Sequence, residues 1–402
     1  MRLTSNQPFW AVKNGLVHSY PSLSEDVKTD VLVIGGGITG SLIAHQCIED
    51  GFDTVLIDRR EIAHGSTSAT TAMLQYEIDT PLCRLIEKIG ERGAVESYRA
   101  CFDAIGVLQK LARRIRSSCG YQDKQSLYFV SGKKDLPWMR REFEVRSRHG
   151  FPVHWREPKE IRQQYGLLGS FGGILSDKAG SLDPFRFTHD LLEFNRHRGM
   201  AVFDKTEISR VDHGKKTIRA YTQAGPRIQA RKILYCNGYE SVEIIREKFV
   251  DLLATFAIAG ESDKASCKGL ENTLFWNTSQ PYHYLRTTDD NRVIVGGADI
   301  PYQNAGKRDA RLWQSAEKLR KYHARIFPKT VLKLDFAWAG TFGATRDGLP
   351  YIGSHPDFPN AYFVLGFGGN GILFSVIGMD MVSAYLRGKV HELTEYFRFG
   401  RY

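Results

Sequence analysis

Residues 30–40 read DVLVIGGGITG. The apolar run Asp30–Ile34 has the length and composition of a buried strand, and it breaks abruptly into Gly35-Gly36-Gly37. Ile38 to about Asp50 then predicts a helix that stops at Gly51, and Thr54–Ile57 predicts a second strand. Strand, tight turn, helix and strand in so short a span form a βαβ unit with a parallel pair. Gly35-x-Gly37-x-x-Gly40 within it has the spacing of a dinucleotide fingerprint. The first glycine permits the turn, the second lets a pyrophosphate approach the backbone, and the third lets helix and strand pack closely. Free N–H groups and the positive helix end then face the phosphates, with Ile38 and Thr39 in the first turn.

Outward from this corner, Asp58 ends the second strand, where a carboxylate can accept from both ribose hydroxyls and repel a 2′-phosphate. Arg59 and Arg60 follow directly, and arginines there can instead hold the 2′-phosphate of NADP. The corner therefore specifies an adenine dinucleotide more firmly than it specifies which one.

The bulk composition sets wide bounds. The chain has 402 residues, 42% hydrophobic and 25% charged, which allows two or three domains and a large core. No apolar stretch is long enough to cross a membrane as a helix, and MRLTSNQPFWAVKNG lacks the apolar centre of a secretory signal. A cytoplasmic location is the expectation. The six cysteines form no CxxC pair and no metal-ligand spacing, so they read as free buried thiols and no metal site is expected. The net charge of +10 is dispersed along the chain. It fits a solvated surface better than a nucleic-acid interface, and no nucleic-acid-binding signature accompanies it.

Further along, helices are expected over 80–89, to about 115, over 135–149, from Asp183-Pro184 to Gly199, over 308–326 and from Ile372 to about Arg387. Residues 201–236 read as strands and turns. Tyr282–Arg286 and Arg292–Val295 flank a Thr-Asp-Asp-Asn turn and predict an antiparallel hairpin. Residues 1–29 read as an irregular lead-in pinned by Phe9 and Trp10.

Several ordered segments resemble one family, the FAD-dependent amine and amino-acid oxidoreductases that include D-amino-acid oxidase, glycine oxidase and sarcosine oxidase. They are Gly65-Ser66-Thr67-Ser68-Ala69-Thr70-Thr71-Ala72, Gly180–Pro184, Thr206-Glu207-Ile208, Cys236-Asn237-Gly238, Trp338-Ala339-Gly340 with Asp347-Gly348-Leu349-Pro350, and Gly366-Phe367-Gly368-Gly369-Asn370-Gly371-Ile372. The resemblance spans about Asp30 to Gly388. It implies an α/β fold, a Rossmann-like FAD-binding domain interleaved with an antiparallel-sheet substrate domain. Residues 1–82, 171–250 and 338–402 are expected in the first, and 83–170 and 251–337 in the second. It implies FAD as cofactor, with the 65–72 loop, Ile208, Cys236–Gly238, Trp338, Asp347, Gly348 and the 366–372 segment around it. Small hydroxyl residues in that loop offer donors without bulk. A helix starting near Gly371 offers N–H groups and a positive dipole end to an electron-rich ring.

The chain departs from the family in two places. Phe342 stands where amino-acid oxidases carry a carboxylate-binding arginine, and Arg286 or Arg346 is left to replace it. No cysteine follows Cys267, so FAD is expected to be non-covalent, and the strand Arg292–Gly296 lacks the oxygen-activating lysine of sarcosine-type enzymes. The lead-in is similar to that of the γ-glutamylputrescine oxidase branch. Tyr284, Arg286 and Phe342 are the expected catalytic-site residues, with Tyr282 on the same strand face and His283 on the other. The expected reaction is hydride loss from the carbon of a C–N bond in a small amine or amino acid, giving an imine that hydrolyses. The electron acceptor, O2 or another, stays open. Three other readings stay open: an NADP-dependent dehydrogenase, a flavoprotein acting on RNA, and a flavin-binding partner without activity.

Overall fold

The computed structural model describes residues 1–214 and 216–402 and holds two sheets. The smaller has eight strands, and its parallel centre is built from four distant parts of the chain. Val27–Ile34 lies between Thr54–Ile57 on one side and Arg227–Tyr235 on the other, with Ala201–Phe203 and Ala361–Leu365 beyond. Strands of this kind are covered on both faces, and Val31, Leu32, Val33, Leu56, Ile233 and Leu234 are buried as that requires. The parallel register aligns Ile34 with Ile57 and Tyr235, so the strand ends converge at the glycine corner. Ligands of open parallel sheets bind outside such carboxyl ends.

The helix Ile38–Glu49 leaves the corner and packs on Gly371–Leu386 and Pro184–Arg196. Asp183 caps the latter by accepting from the Arg186 N–H at 2.9 Å, with Pro184 in its first turn. The two glycine-fed helices are tied at their starts, where the hydroxyls of Thr39 and Ser375 lie 2.7 Å apart.

The larger sheet has ten strands and is mainly antiparallel. Its long pair Asp251–Glu261 and Lys333–Ala344 adjoins the hairpin His283–Thr287 and Arg292–Pro301. Residues 173–181 and 338–344, expected with the parallel sheet, lie in strands of the larger one. The same holds for Met73–Gln75, which pairs with Gly173–Ser181. The lead-in is more ordered than its sequence implies. Phe9–Asn14 is a helix whose Phe9 and Trp10 are buried, and Thr4–Ser5 pairs with Ala339 and Gly340. All six cysteines are free and buried. Among the described residues no helix is long and apolar enough to cross a membrane, and no cluster suits a metal ion.

Candidate active site

Two cavities adjoin along the join between the sheets. The first, about 520 Å³, is lined by Gly35, Gly37, Ile38, Thr39, Asp58, Arg59, Gly65, Ser66, Thr67, Ile208, Cys236, Asn237 and Gly238. The second, about 200 Å³, shares Ile38, Thr39, Ser66, Thr67 and Gly238 with it and continues to Thr71, Tyr282, Tyr284, Phe342, Gly366, Gly368, Gly369, Gly371 and Ile372. Together they form one elongated cleft of the size that takes a large ligand.

The corner is tight for reasons specific to its glycines. Gly35 sits at φ +114°, and a Cβ there would strike the Cys236 carbonyl. A Cβ at Gly37 would lie 2.8 Å from Thr67 Oγ1, and one at Gly40 would overlap the Gly35 carbonyl oxygen. The Ile38 N–H donates to Thr67 Oγ1 at 2.9 Å, which fixes the hydroxyl loop against the start of the helix. Asp58 accepts from the N–H of Gly36 at 2.7 Å and of Arg60 at 2.8 Å. Burial pushes its carboxyl above the ordinary range, against those two hydrogen bonds. Arg59 and Arg60 are not free for a phosphate. Both pair with Glu240, and each donates to the Met1 carbonyl. Glu207, Glu240 and Glu243 line this end of the cleft, so a 2′-phosphate would meet three carboxylates.

These features suit FAD. A glycine-walled turn opens onto a helix start, a buried carboxylate stands at the next strand end, and Asn237 lines the cleft with a buried Oδ1 that has no partner. The FAD dependent oxidoreductase family, DAO, matches residues 30–384. This chain belongs to the FAD-dependent oxidoreductase family. Gamma-glutamylputrescine oxidoreductase of Escherichia coli K12 is 22% identical over 403 residues, covering 98% of this chain and 92% of that protein. The crystal structure of glycine oxidase from Geobacillus kaustophilus superposes with a TM-score of 0.77 at 18% identity, over 94% of this chain and 99% of that one. L-proline dehydrogenase from P. horikoshii gives the same TM-score at 20% identity and the same coverage.

In this oxidoreductase several residues expected at the cofactor lie outside the cleft lining. Ser68 donates to the Gly65 carbonyl at 2.9 Å and closes its own turn. Asp347 is fully buried and bidentate to Arg401, both bonds at 2.9 Å. Burial pushes its carboxyl up, but Arg401 outweighs that and holds it below the ordinary value. Gly348 stands at φ +77° against Thr80, and Asn370 donates to the Gln75 carbonyl at 2.7 Å. Gly40 packs on Gly35 and does not face the cleft.

Arg286 is the largest correction. It is buried away from both cavities, donating to the carbonyls of Ala72 at 2.6 Å and Leu182 at 3.2 Å, with Trp10 5.2 Å from its guanidinium. Arg346 is exposed beside Tyr402. Neither replaces a substrate-carboxylate arginine. Arg286 instead completes a set of three donors, because Trp338 Nε1 donates to Ala69 O at 2.8 Å and Trp10 Nε1 to Thr70 O at 2.7 Å. Three carbonyls of the 65–72 loop are thus held from behind, including Ala72 at the strained φ of +51°.

Tyr282 and Tyr284 face the second cavity with ring centres 5.6 Å apart, while His283 turns away and stacks on Tyr322 at 4.0 Å. Sequence reasoning missed Asp79, Tyr239, Thr255 and Trp276, which also line this cavity. Asp79 is tied to the C-terminal glycine segment, accepting the Gly369 N–H at 2.8 Å. Behind Thr255, Asp299 has its carboxyl pushed up to about 6 by burial, with the Thr255 hydroxyl opposing and Asp79 adding. A carboxyl raised in the fold stabilises it fully below the ordinary range and loses that contribution as pH rises through about 6. Asp299→Asn should therefore stabilise the ligand-free protein at pH 8 by up to about 3 kcal/mol and by about half as much at pH 5. Melting temperatures of both proteins at the two pH values check this.

Proposed function

We propose that this oxidoreductase uses non-covalently held FAD to oxidise the C–N bond of a small amine or amino acid. The carrying observation is the single cleft that runs from the glycine corner to an aromatic chamber walled by Gly366–Ile372. Gly35, Gly37, Ile38 and Thr39 would hold the pyrophosphate, Asp58 the ribose and Ile208 the adenine side. Ser66, Thr67, Thr71, Gly366, Gly368, Gly369, Gly371 and Ile372 would hold the ring. The similarity to proteins named for γ-glutamylputrescine, glycine and L-proline supports a nitrogen-bearing substrate.

FAD, when bound, supplies the two-electron acceptor for the substrate's carbon-bound hydride. The chain's own residues bind, orient and exclude water. The start of the Gly371 helix sets unpaired N–H groups and partial positive charge against the chamber, which favours a ligand that gains negative charge. Phe342, Tyr284 and Trp276 present apolar surface that limits water around the reacting carbon. A neutral amine would lose hydride from its α-carbon to this acceptor, leaving an iminium ion that gives up its N–H proton to solvent, and the resulting imine is hydrolysed there. The paired arginines at Glu240 speak against an NADP-dependent dehydrogenase. The electron acceptor is proposed only as O2 or another carrier.

Purified protein should be yellow, absorbing near about 450 nm as bound flavin does, and should bleach anaerobically with an amine and recover with an acceptor. A colourless protein that takes up no added FAD overturns the proposal.

A further inference from the structure

Resting on the reading of the second cavity as the substrate chamber, we infer that Asp299, acting through the hydroxyls of Thr255 and Tyr284, takes the proton that a substrate ammonium must lose before its carbon can give up hydride. The register of the larger sheet builds this line. Phe256 pairs with Gly297, and the next partners recorded are Ala254 and Ile300. Two steps on one strand therefore face three on the other, which is a bulge in Arg292–Pro301 beside Thr255. Gly297 at φ +131° and Ala298 at φ +57° form it. Ala298 is not a glycine, so its positive φ is strained. Bulges re-aim side chains beside active sites. Here the residue that follows is Asp299, and the Thr255 hydroxyl lies against its carboxyl. On the neighbouring pair Tyr284 faces Gly296, and its ring lies over that glycine, where a Cβ would stand 2.4 Å from the Tyr284 hydroxyl oxygen. That hydroxyl meets Thr255 and Thr71. Tyr284, Thr255 and Thr71 all line the chamber. Tyr284, Thr255 and Asp299 thus lead from the cavity to a carboxyl behind its wall.

The surroundings suit that carboxyl to accept a proton. Its buried Oδ1 has no hydrogen bond. The ionisable groups it meets are Asp79 on the chamber wall and Tyr282 and Tyr284 on the hairpin, none of them a cation. His283, on the same hairpin, turns away to Tyr322. Raised to about 6 by burial, the carboxyl is ionised at neutral pH yet takes a proton more readily than an exposed one. It is retained although Asn in its place should stabilise the fold, a trade that recurs at working sites. The step moves protons and no electrons. The ammonium N–H bond breaks and its proton bonds to the Tyr284 oxygen, the Tyr284 proton passes to Thr255 Oγ1, and the Thr255 proton passes to the Asp299 carboxylate. The electron pair stays on nitrogen, where it assists hydride loss. A cation and an anion become a neutral amine and a neutral acid, which exclusion of water favours. Asp299 then returns its proton to solvent.

The test is anaerobic stopped-flow reduction of the flavin-loaded protein between about pH 5 and pH 9, using whichever of γ-glutamylputrescine, glycine and L-proline reduces it fastest, at saturation. The limiting rate should be level above about pH 6 and fall about tenfold per pH unit below it, as Asp299 fills with a proton. Asp299→Asn should lose the plateau. Its rate should climb about tenfold per pH unit, because the proton must now leave to water, and at pH 7 it should lie at least tenfold below the unaltered protein. Thr255→Val and Tyr284→Phe should follow the Asn variant, and Thr255→Ser should restore the plateau. A second arm needs no substrate. Infrared titration of the ligand-free protein should show one carboxyl band that titrates near pH 6, vanishes in Asp299→Asn and moves to higher pH in Thr255→Val, where the opposing hydroxyl is gone. An Asn variant that keeps the plateau, no such band, or a band unmoved by Thr255→Val overturns the inference. Flavin reduction with the same pH profile in every variant would sink this inference alone. A flavin that neither these three compounds nor a wider set of amines reduces would sink the proposed activity, and the relay with it.

Discussion

Gly40→Ala is expected to yield little soluble protein, and the soluble part should lack flavin absorbance. The new methyl would overlap the carbonyl oxygen of Gly35, and that oxygen cannot retreat. Gly35 donates its N–H to Ile57 O at 2.8 Å, and its α-carbon abuts the Cys236 backbone. Moving the helix instead would disturb its packing on Gly371–Leu386 and Pro184–Arg196. Overpacking an ordinary core costs about 1–3 kcal/mol, and here backbone meets backbone with no side chain to yield, which places the cost at or above the upper end. Gly51→Ala is the control. It has open space around it and a φ of +84°, so only about 1 kcal/mol of backbone strain is expected. Soluble yield and the ratio of visible to ultraviolet absorbance measure the difference. A Gly40→Ala protein with full flavin content would contradict this account of the corner.

Arg146→Leu should destabilise the fold by about 3–5 kcal/mol. Arg146 is completely buried with Glu77 and Glu142, donating to Glu142 at 2.6 Å and to Glu77 at 3.4 Å. Burial opposes its charge, but Glu142 leads the groups that hold the guanidinium well above its ordinary value. Without it, two carboxyls would stay in the core with no counter-charge. Glu142 also accepts the N–H groups of Leu82 at 2.9 Å and Cys83 at 2.7 Å, and Glu77 lies two residues before Asp79. The damage should therefore reach the chamber as well as the core. Urea unfolding gives the loss of stability, and the flavin absorbance of the purified variant gives the effect on the chamber. A shift below about 1 kcal/mol would contradict this account of the buried charge triad.

The corner was legible in the sequence because its information is local. Three glycines, a strand and a helix occupy consecutive positions, and each has a distinct steric task. The same locality explains why Thr54–Ile57 emerges as written and why the final helix starts where its glycines end. Asp79 carried no such signal. It is an acid between Ile78 and Thr80, brought to the chamber by a short strand on Gly173–Ser181 and by the N–H of distant Gly369. Arg286 shares a strand face with Tyr284, so alternation alone could not separate a cleft residue from one that serves backbone carbonyls. Asp347 looked like a cofactor contact because its partner, Arg401, stands almost at the other end of that segment with no motif around it. In each case the deciding contact joins residues that sequence spacing does not relate.

The place of Val27–Ile34 in mid-sheet has a consequence for how the chain is made. One flank is filled almost at once by Thr54–Ile57, but the other waits for Arg227–Tyr235, since Val27 pairs with Ile228. At about 5–20 residues per second, a ribosome needs on the order of ten seconds or more to deliver that second neighbour. Through that interval the emerging polypeptide carries an unsatisfied apolar ribbon, the very template on which other nascent molecules can stick.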